Sequence, residues 1–264
     1  WDVSSQLVHI KQYFKYGVQI KSGDTIFDIG ANIGMFGLVA YDMCMQDADV
    51  YCFEPVPDIF TDLEKNLAGV ETERLKAFPF GFADKSGEIE FTYYPNASAL
   101  STIHPENMQI GLQQMIDSLD QNMDQVPDLF ADGQKAKNAP DFPEKDSRFI
   151  KMRTILGLRT AFQETKITCE VKKLTQFIQE EGIEKIDLLK IDVNGSELDI
   201  VNGIEKGDFS KIKQIVIEVP LGGEKLNTLK KILVSGGFSK VTIEEQNPVI
   251  NKGLSYYIVY AVKE

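Results

Sequence analysis

Asp28-Ile29-Gly30-Ala31-Asn32-Ile33-Gly34 is the stretch best suited to chemistry, because it puts two glycines between an apolar run and a helical one. Glycine there lets the backbone turn tightly and approach a ligand where a side chain would clash. Glu54 stands about 20 residues beyond Gly34, at the end of the next apolar run, where a carboxylate can accept hydrogen bonds from ribose hydroxyls. Two glycines four apart are not the G-x-G-x-x-G that seats a pyrophosphate on a helix N-terminus. Asp28 would repel a pyrophosphate but would suit the cationic amino group of S-adenosylmethionine. A nicotinamide dinucleotide is therefore disfavoured.

Few groups can take a proton. The chain has two histidines, His9 and His104. His104 follows the small-residue loop 98–102 and is the expected general base, because imidazole titrates near neutrality. His9, on a leading helix, is the less favoured of the two. Asp192 ends an apolar run, and a carboxylate so placed projects into a cleft at a strand end. Asp192, Glu197 and Glu218 together could orient a base or hold a hard cation such as magnesium through oxygen. The plainer roles are a helix cap for Glu197, after Gly195, and a lysine partner for Glu218. His104, Asp192 and Glu218 are thus the expected catalytic residues, and Asp192, Glu197 and Glu218 the only candidate metal ligands.

These residues need a scaffold, and hydrophobic periodicity predicts one. Leu7, Ile10, Tyr13, Phe14 and Val18 recur at helical spacing within residues 1–22. Strands are then expected at 25–29 and 50–53, helices at 33–45 and 58–67, and a further strand before Tyr94. Strand and helix alternate again after residue 165, with helices at 174–181, 196–204 and 226–235. The strands there are 186–191, 212–219, 239–244 and 255–262. Alternation of this kind signals an α/β fold with a parallel sheet and helices on its faces. Residues 105–165 break the pattern with scattered aspartates and Pro127, Pro140 and Pro143, and are too long for a loop. They are expected to be a helical lid, with 109–123 as the best helix, or else partly disordered.

Composition narrows the partners. A net charge of −12 over 264 residues disfavours nucleic acid and anionic membranes, both of which repel an acidic surface. Cys44, Cys52 and Cys169 are odd in number and lack C-x-x-C spacing, which argues against a disulfide framework and a structural zinc site. No apolar run approaches the ~18 residues of a membrane span. The start, Trp1-Asp2-Val3, has no signal-peptide character. A cytoplasmic chain cut from a longer polypeptide is expected.

Several ordered motifs together resemble one family. The stretch D-T-I-F-D-I-G-A-N-I-G-M-F, the later F-E-P-V-P, and the run from Ile186 to Leu198 are similar to the FkbM-type class I methyltransferases. The blocks F-T-Y-Y-P-N-A-S-A-L-S-T and K-I-K-Q-I-V-I-E-V resemble the subgroup embedded in polyketide and nonribosomal peptide synthases. The resemblance runs from about Leu7 to Ala261 and thins in the insertion. It implies a doubly wound, mostly parallel, seven-stranded Rossmann-like sheet forming a single domain over 1–264, with an N-terminal helical segment (1–22) and a lid-like insertion (105–165). It also implies O-methylation of a small molecule, or of an acyl or peptidyl chain tethered to a carrier protein, with S-adenosyl-L-homocysteine as by-product. Asp28, Gly30, Ala31, Asn32 and Gly34 would line the methionine end of the cofactor, and Glu54, beside Pro55, would hold the ribose. Phe82, Ala83 and Asp84 would border the adenine, and Asp192 would face the reacting centre. Two departures matter: Asn194 stands where many relatives carry Glu, and Pro220 where the synthase-embedded ones often carry His. The cofactor site therefore reads as intact and the catalytic site as altered. The alternatives are a cofactor-binding domain without turnover and an N- or C-methyltransferase.

Overall fold

Alternating side chains explain how one sheet can be buried on both faces. The computed structural model describes residues 3–106, 109–110, 113, 155–157, 160–220, 222–246 and 256–263. In chain order the main elements are α1 (Val3–Gln12), β1 (Asp24–Ile29), α2 (Met35–Met43), β2 (Ala48–Phe53), α3 (Pro57–Ala68) and β3 (Leu75–Phe78). Next come β4 (Gly81–Phe82), β5 (Gly87–Tyr93), β6 (Thr165–Lys172), α4 (Leu174–Glu180), β7 (Leu188–Ile191) and α5 (Glu197–Asn202). The last are β8 (Gln214–Pro220), α6 (Glu224–Ser235), β9 (Lys240–Gln246) and β10 (Tyr256–Val262).

Seven strands form the main sheet in the order β3-β2-β1-β7-β8-β10-β9, and all run parallel except β10. Successive residues of a strand point to opposite faces, so Phe27 and Ile29 enter one core and Ile26 the other. The Phe27 face packs against Phe177 and Ile178 of α4, Ile200 of α5, and Leu229 and Leu233 of α6. The Ile26 face packs against Ile10 of α1, Phe36 and Ala40 of α2, and Leu63 and Leu67 of α3. This is the α/β architecture that the alternation predicts, doubly wound as the resemblance implies. Strand order reverses between β1 and β7, the place where open α/β sheets bind ligands outside their carboxyl ends.

Two features differ from the sequence expectation. The leading helix stops at Gln12 instead of running through residue 22. Beyond it Tyr16 and Gly17 adopt positive φ (53° and 99°), which turns the chain so that Val18 is buried. Gln214 then pins the extended segment, its side chain accepting from the Gln19 N–H and donating to the Gln19 carbonyl. A second sheet, β4-β6-β5, was not foreseen as a unit. β6 begins at Thr165, which the sequence assigns to the insertion, and pairs antiparallel with β5 from Gly87↔Val171 to Tyr93↔Thr165. Its period-two pattern, Ile167, Cys169 and Val171, was there to be read. Most of the insertion at 105–165, and with it the helix expected over 109–123, lies outside the described residues. Among the described residues no helix is long and apolar enough to cross a membrane.

Candidate active site

The tips of β1, β2 and β7 are tied to one another by backbone hydrogen bonds, and that builds the floor of the cleft. Gly30 and Ala31 donate to the Phe53 carbonyl at 3.1 and 3.0 Å, and Asp192 donates to Ile29 at 3.1 Å. Gly30 has φ +75°, and a Cβ there would collide with the Asp192 backbone carbonyl, so β1 can approach β7 only through a glycine. Asn32 (φ 49°) continues the turn. The cleft above is lined by Gly30, Asn32, Glu54, Pro55 and Phe82 at one side and by Asp192, Val193, Asn194 and Ser196 at the other.

Glu54 is the buried acid of the cleft wall, 5% exposed. Its two oxygens each accept one backbone N–H, from Asn32 (3.1 Å) and Val56 (3.0 Å). Carboxylate oxygens accept more than one hydrogen bond, so lone pairs are left for ligand hydroxyls. Burial pushes the Glu54 carboxyl up to about 7, against the opposing pull of the two N–H groups. The apolar side chains of Ile29, Phe82, Ile89 and Phe91 supply a surface for a flat ring. The wall thus sets a buried carboxylate acceptor beside an apolar surface.

Asp28 is not in that wall. It is fully buried under the sheet face that carries α1 and α2, and Lys190 donates to it at 2.8 Å and to the Gly30 carbonyl at 3.2 Å. The Lys190 ammonium also lies over the Phe36 and Tyr13 rings, 5.4 and 5.8 Å from their centroids. Burial works against its charge, but Asp28 and Asp192 more than compensate, and Lys190 is held well above the usual lysine range. The expected contact between Asp28 and the cofactor's amino group is thus replaced by a buried ion pair that braces β1 against β7. A lysine in the middle of the apolar run Leu188-Leu189-Lys190-Ile191 was the signal for it.

A polar cluster reaches the cleft through Asp192. The Tyr13 hydroxyl lies 3.0 Å from His9 Nε2, 3.1 Å from Asp192 Oδ2 and 3.0 Å from Glu218 Oε2. His9 Nε2 is 3.2 Å from Glu218 Oε2. Burial tends to lower the His9 pKa, but its hydrogen bond to Glu218 and the nearby carboxylate charges raise it overall. Burial and then the Asp192 charge raise Glu218. β8 ends at Pro220 without a histidine, and the imidazole that reaches Glu218 comes from α1 instead.

The remaining expected residues fall outside the wall. Ala31 is buried, Gly34 (φ 88°) precedes α2 and packs under Leu63, and Ala83 lies against Gly203. His104 is adjacent to the lining residue Ile103, but its Nδ1 is 3.1 Å from Glu106 Oε1 and its Nε2 3.1 Å from Asp199 Oδ2. Glu197 does not join Asp192 and Glu218. It is fully buried and accepts the Gly195 N–H at 2.6 Å in the turn between β7 and α5, and burial raises its carboxyl to about 7. The proposed oxygen set is corrected accordingly. Sequence reasoning also missed the wall built by the small sheet: Ile89, Phe91 and Val171, with Ser98 and Ser101 from the loop beyond β5. Thr102 anchors that loop, exchanging backbone bonds with Thr92 and donating its hydroxyl to the Asn194 carbonyl at 2.7 Å.

Comparison with known proteins shows the family and the fold. The family model described as the Methyltransferase FkbM domain matches residues 28–238. The 31-O-demethyl-FK506 methyltransferase FkbM of Streptomyces tacrolimicus is 30% identical over 241 residues, covering 90% of this chain and 80% of that protein. The AMB antimetabolite synthetase AmbE of Pseudomonas aeruginosa is 30% identical over 256 residues, 95% of this chain. The chain spans only 11% of that synthetase's length. Among solved structures, methyltransferase FkbM of Methylobacillus flagellatus KT superposes with a TM-score of 0.52 at 12% identity, covering 94% of this chain and 46% of that one, a likeness of fold.

Proposed function

Because the chain belongs to the FkbM methyltransferase domain family, we propose that it moves a methyl group from S-adenosylmethionine to a hydroxyl of a small molecule or a carrier-tethered acyl or peptidyl chain. The observation that carries the reading is the polarity of the cleft. A buried carboxylate, Glu54, faces ribose hydroxyls at one end, and an acid-rich cluster around Asp192 meets the acceptor at the other. When bound, S-adenosylmethionine supplies a methyl carbon on a sulfonium sulfur; its transfer to a hydroxyl oxygen leaves a neutral thioether and sets free the hydroxyl proton.

The chain's own residues do the rest. Gly30 and Asn32 give close backbone approach, and Glu54 orients the nucleoside. Ser98, Ser101 and Ile103 cover the cleft from the small-sheet side and exclude water. Asp192, which lines the cleft, and Glu218 and His9 behind it polarise the acceptor hydroxyl and receive its proton. Much of the rate enhancement comes from aligning oxygen, methyl carbon and sulfur. The O-methyl reading is supported by the name of the Streptomyces relative, and the tethered substrate by the synthetase of which a similar segment is part.

Calorimetric titration with S-adenosylmethionine, with NAD as the parallel control, tests the cofactor. Saturable binding of S-adenosylmethionine alone is expected, and no binding by folded protein would overturn the reading. Product mass and fragmentation then separate O- from N- and C-methylation. Pro220 favours a second reading, a cofactor-binding domain without turnover, which predicts bound cofactor and no product with any hydroxyl acceptor.

A further inference from the structure

We propose that His9, Asp192 and Glu218 form a binding site for a divalent first-row cation. One ligand atom from each lies within 4.8 Å of the other two, and the three come from α1, the tip of β7 and β8. Neighbouring ligands of an octahedral ion bound at ~2.1 Å stand ~3 Å apart, and His9 Nε2 is 3.2 Å from Glu218 Oε2. One imidazole nitrogen with two carboxylate oxygens is a mixed donor set that suits Mn²⁺ or Fe²⁺ better than the all-oxygen preference of Mg²⁺.

The cluster is short of protons. Four close polar contacts join it: Tyr13 hydroxyl to His9, to Asp192 and to Glu218, and His9 to Glu218. Tyr13 brings one proton, and Nε2 of His9 brings at most one more. With both carboxyl groups ionised, two protons are shared among four contacts, and the lone pairs left over can bind a cation. Lys190 does not fill the gap. Its ammonium is bound to Asp28 and the Gly30 carbonyl and stays 3.7 Å from Asp192. That leaves one ammonium facing three carboxylates, Asp28, Asp192 and Glu218. The three ligand side chains are 30%, 27% and 19% exposed, so an ion can enter and keep positions open for water or an oxygen of the acceptor. Asp192 lines the cleft, which sets the ion beside the acceptor. That last step rests on the methyltransferase reading, whereas the donor set does not.

Chelator-treated chain titrated with Mn²⁺, the free ion being read by electron paramagnetic resonance, provides the test. One saturable site is expected. His9→Ala and Glu218→Gln should each weaken it ~10-fold or more, as loss of a ligand does at minimum, and Glu197→Gln should leave it unchanged. The chain has two histidines, so the ring-proton resonances give a readout independent of any variant. Mn²⁺ should broaden those of His9 more strongly than those of His104. Absence of a saturable site, undiminished affinity in both ligand variants, or stronger broadening at His104 than at His9 would each overturn the proposal. S-adenosylmethionine titrations on the same samples keep the two readings apart. Mn²⁺ binding without cofactor binding would retain the site and remove the methyltransferase, and the reverse would remove the site alone.

Discussion

Glu54 couples the cleft wall to pH. Its folded carboxyl sits at about 7, against an ordinary value of 4.5, chiefly because it is buried. The folded chain thus holds this proton more tightly than the unfolded chain. The linked stability is fully present below pH 4.5 and is lost as pH rises through about 7, some ~3 kcal/mol for a shift of this size. Denaturant unfolding of Glu54→Gln should show a flatter pH dependence across that window, and parallel curves for the two proteins would mean that Glu54 does not titrate there. Glu54→Ala should weaken S-adenosylmethionine binding by ~1–3 kcal/mol, read by calorimetry. Lys190 and Asp28 make a different residue-scale prediction, because both are almost wholly buried. Lys190→Met leaves an unpaired buried carboxylate and should cost ~3–5 kcal/mol. Adding Asp28→Asn should recover part of that loss, and strictly additive effects in the double-mutant cycle would show that the pair is not coupled.

At the scale of elements, close approach decides the packing. Gly37 lies in α2 where a Cβ would come 2.6 Å from Cys52 Sγ of β2, so the helix rests on the strand through a missing side chain. Gly37→Ala should destabilise the fold by ~1–3 kcal/mol through overpacking, despite alanine's better helix propensity. In a Cys52→Ala background the same substitution should cost much less, since the obstructing sulfur is gone. A thermal-melt comparison of the two pairs checks this; equal losses would place the strain elsewhere. The elements themselves were largely legible. The apolar runs Ile26-Phe27 and Ile215-Val216-Ile217 and the amphipathic spacing Ile59, Leu63, Leu67 mark strands and a helix without further help. The small sheet was harder to see, because β4 is two residues long and β6 finds its partner β5 across more than 70 residues of chain.

For the molecule as a whole, charge constrains the partner. An acidic carrier protein is repelled by a net charge of −12 and can dock only on a local basic patch. Lys135 and Lys137, or Lys151 and Arg153, are the candidate basic pairs in and around the insertion; all four lie outside the described residues, so the prediction, made for Lys151 and Arg153, rests on charge alone. Reversing both to Glu should slow transfer to a carrier-bound substrate and spare a free thioester mimic, while equal slowing of the two would sink the docking idea. What the sequence determined by itself was local: strand and helix periodicity, the glycine turn after β1, and the carboxylate at the end of β2. Each follows from side-chain pattern or backbone freedom within a few residues. The tertiary structure decided which charges face the cleft. Asp28 is turned away because alternation along β1 puts it on the face where Lys190 lies, one strand over at the register Asp28↔Lys190. His9 meets Glu218, 209 positions away, because α1 folds across the carboxyl ends of β7 and β8. Contacts of that kind depend on sheet order and strand register, which no local pattern in the chain encodes.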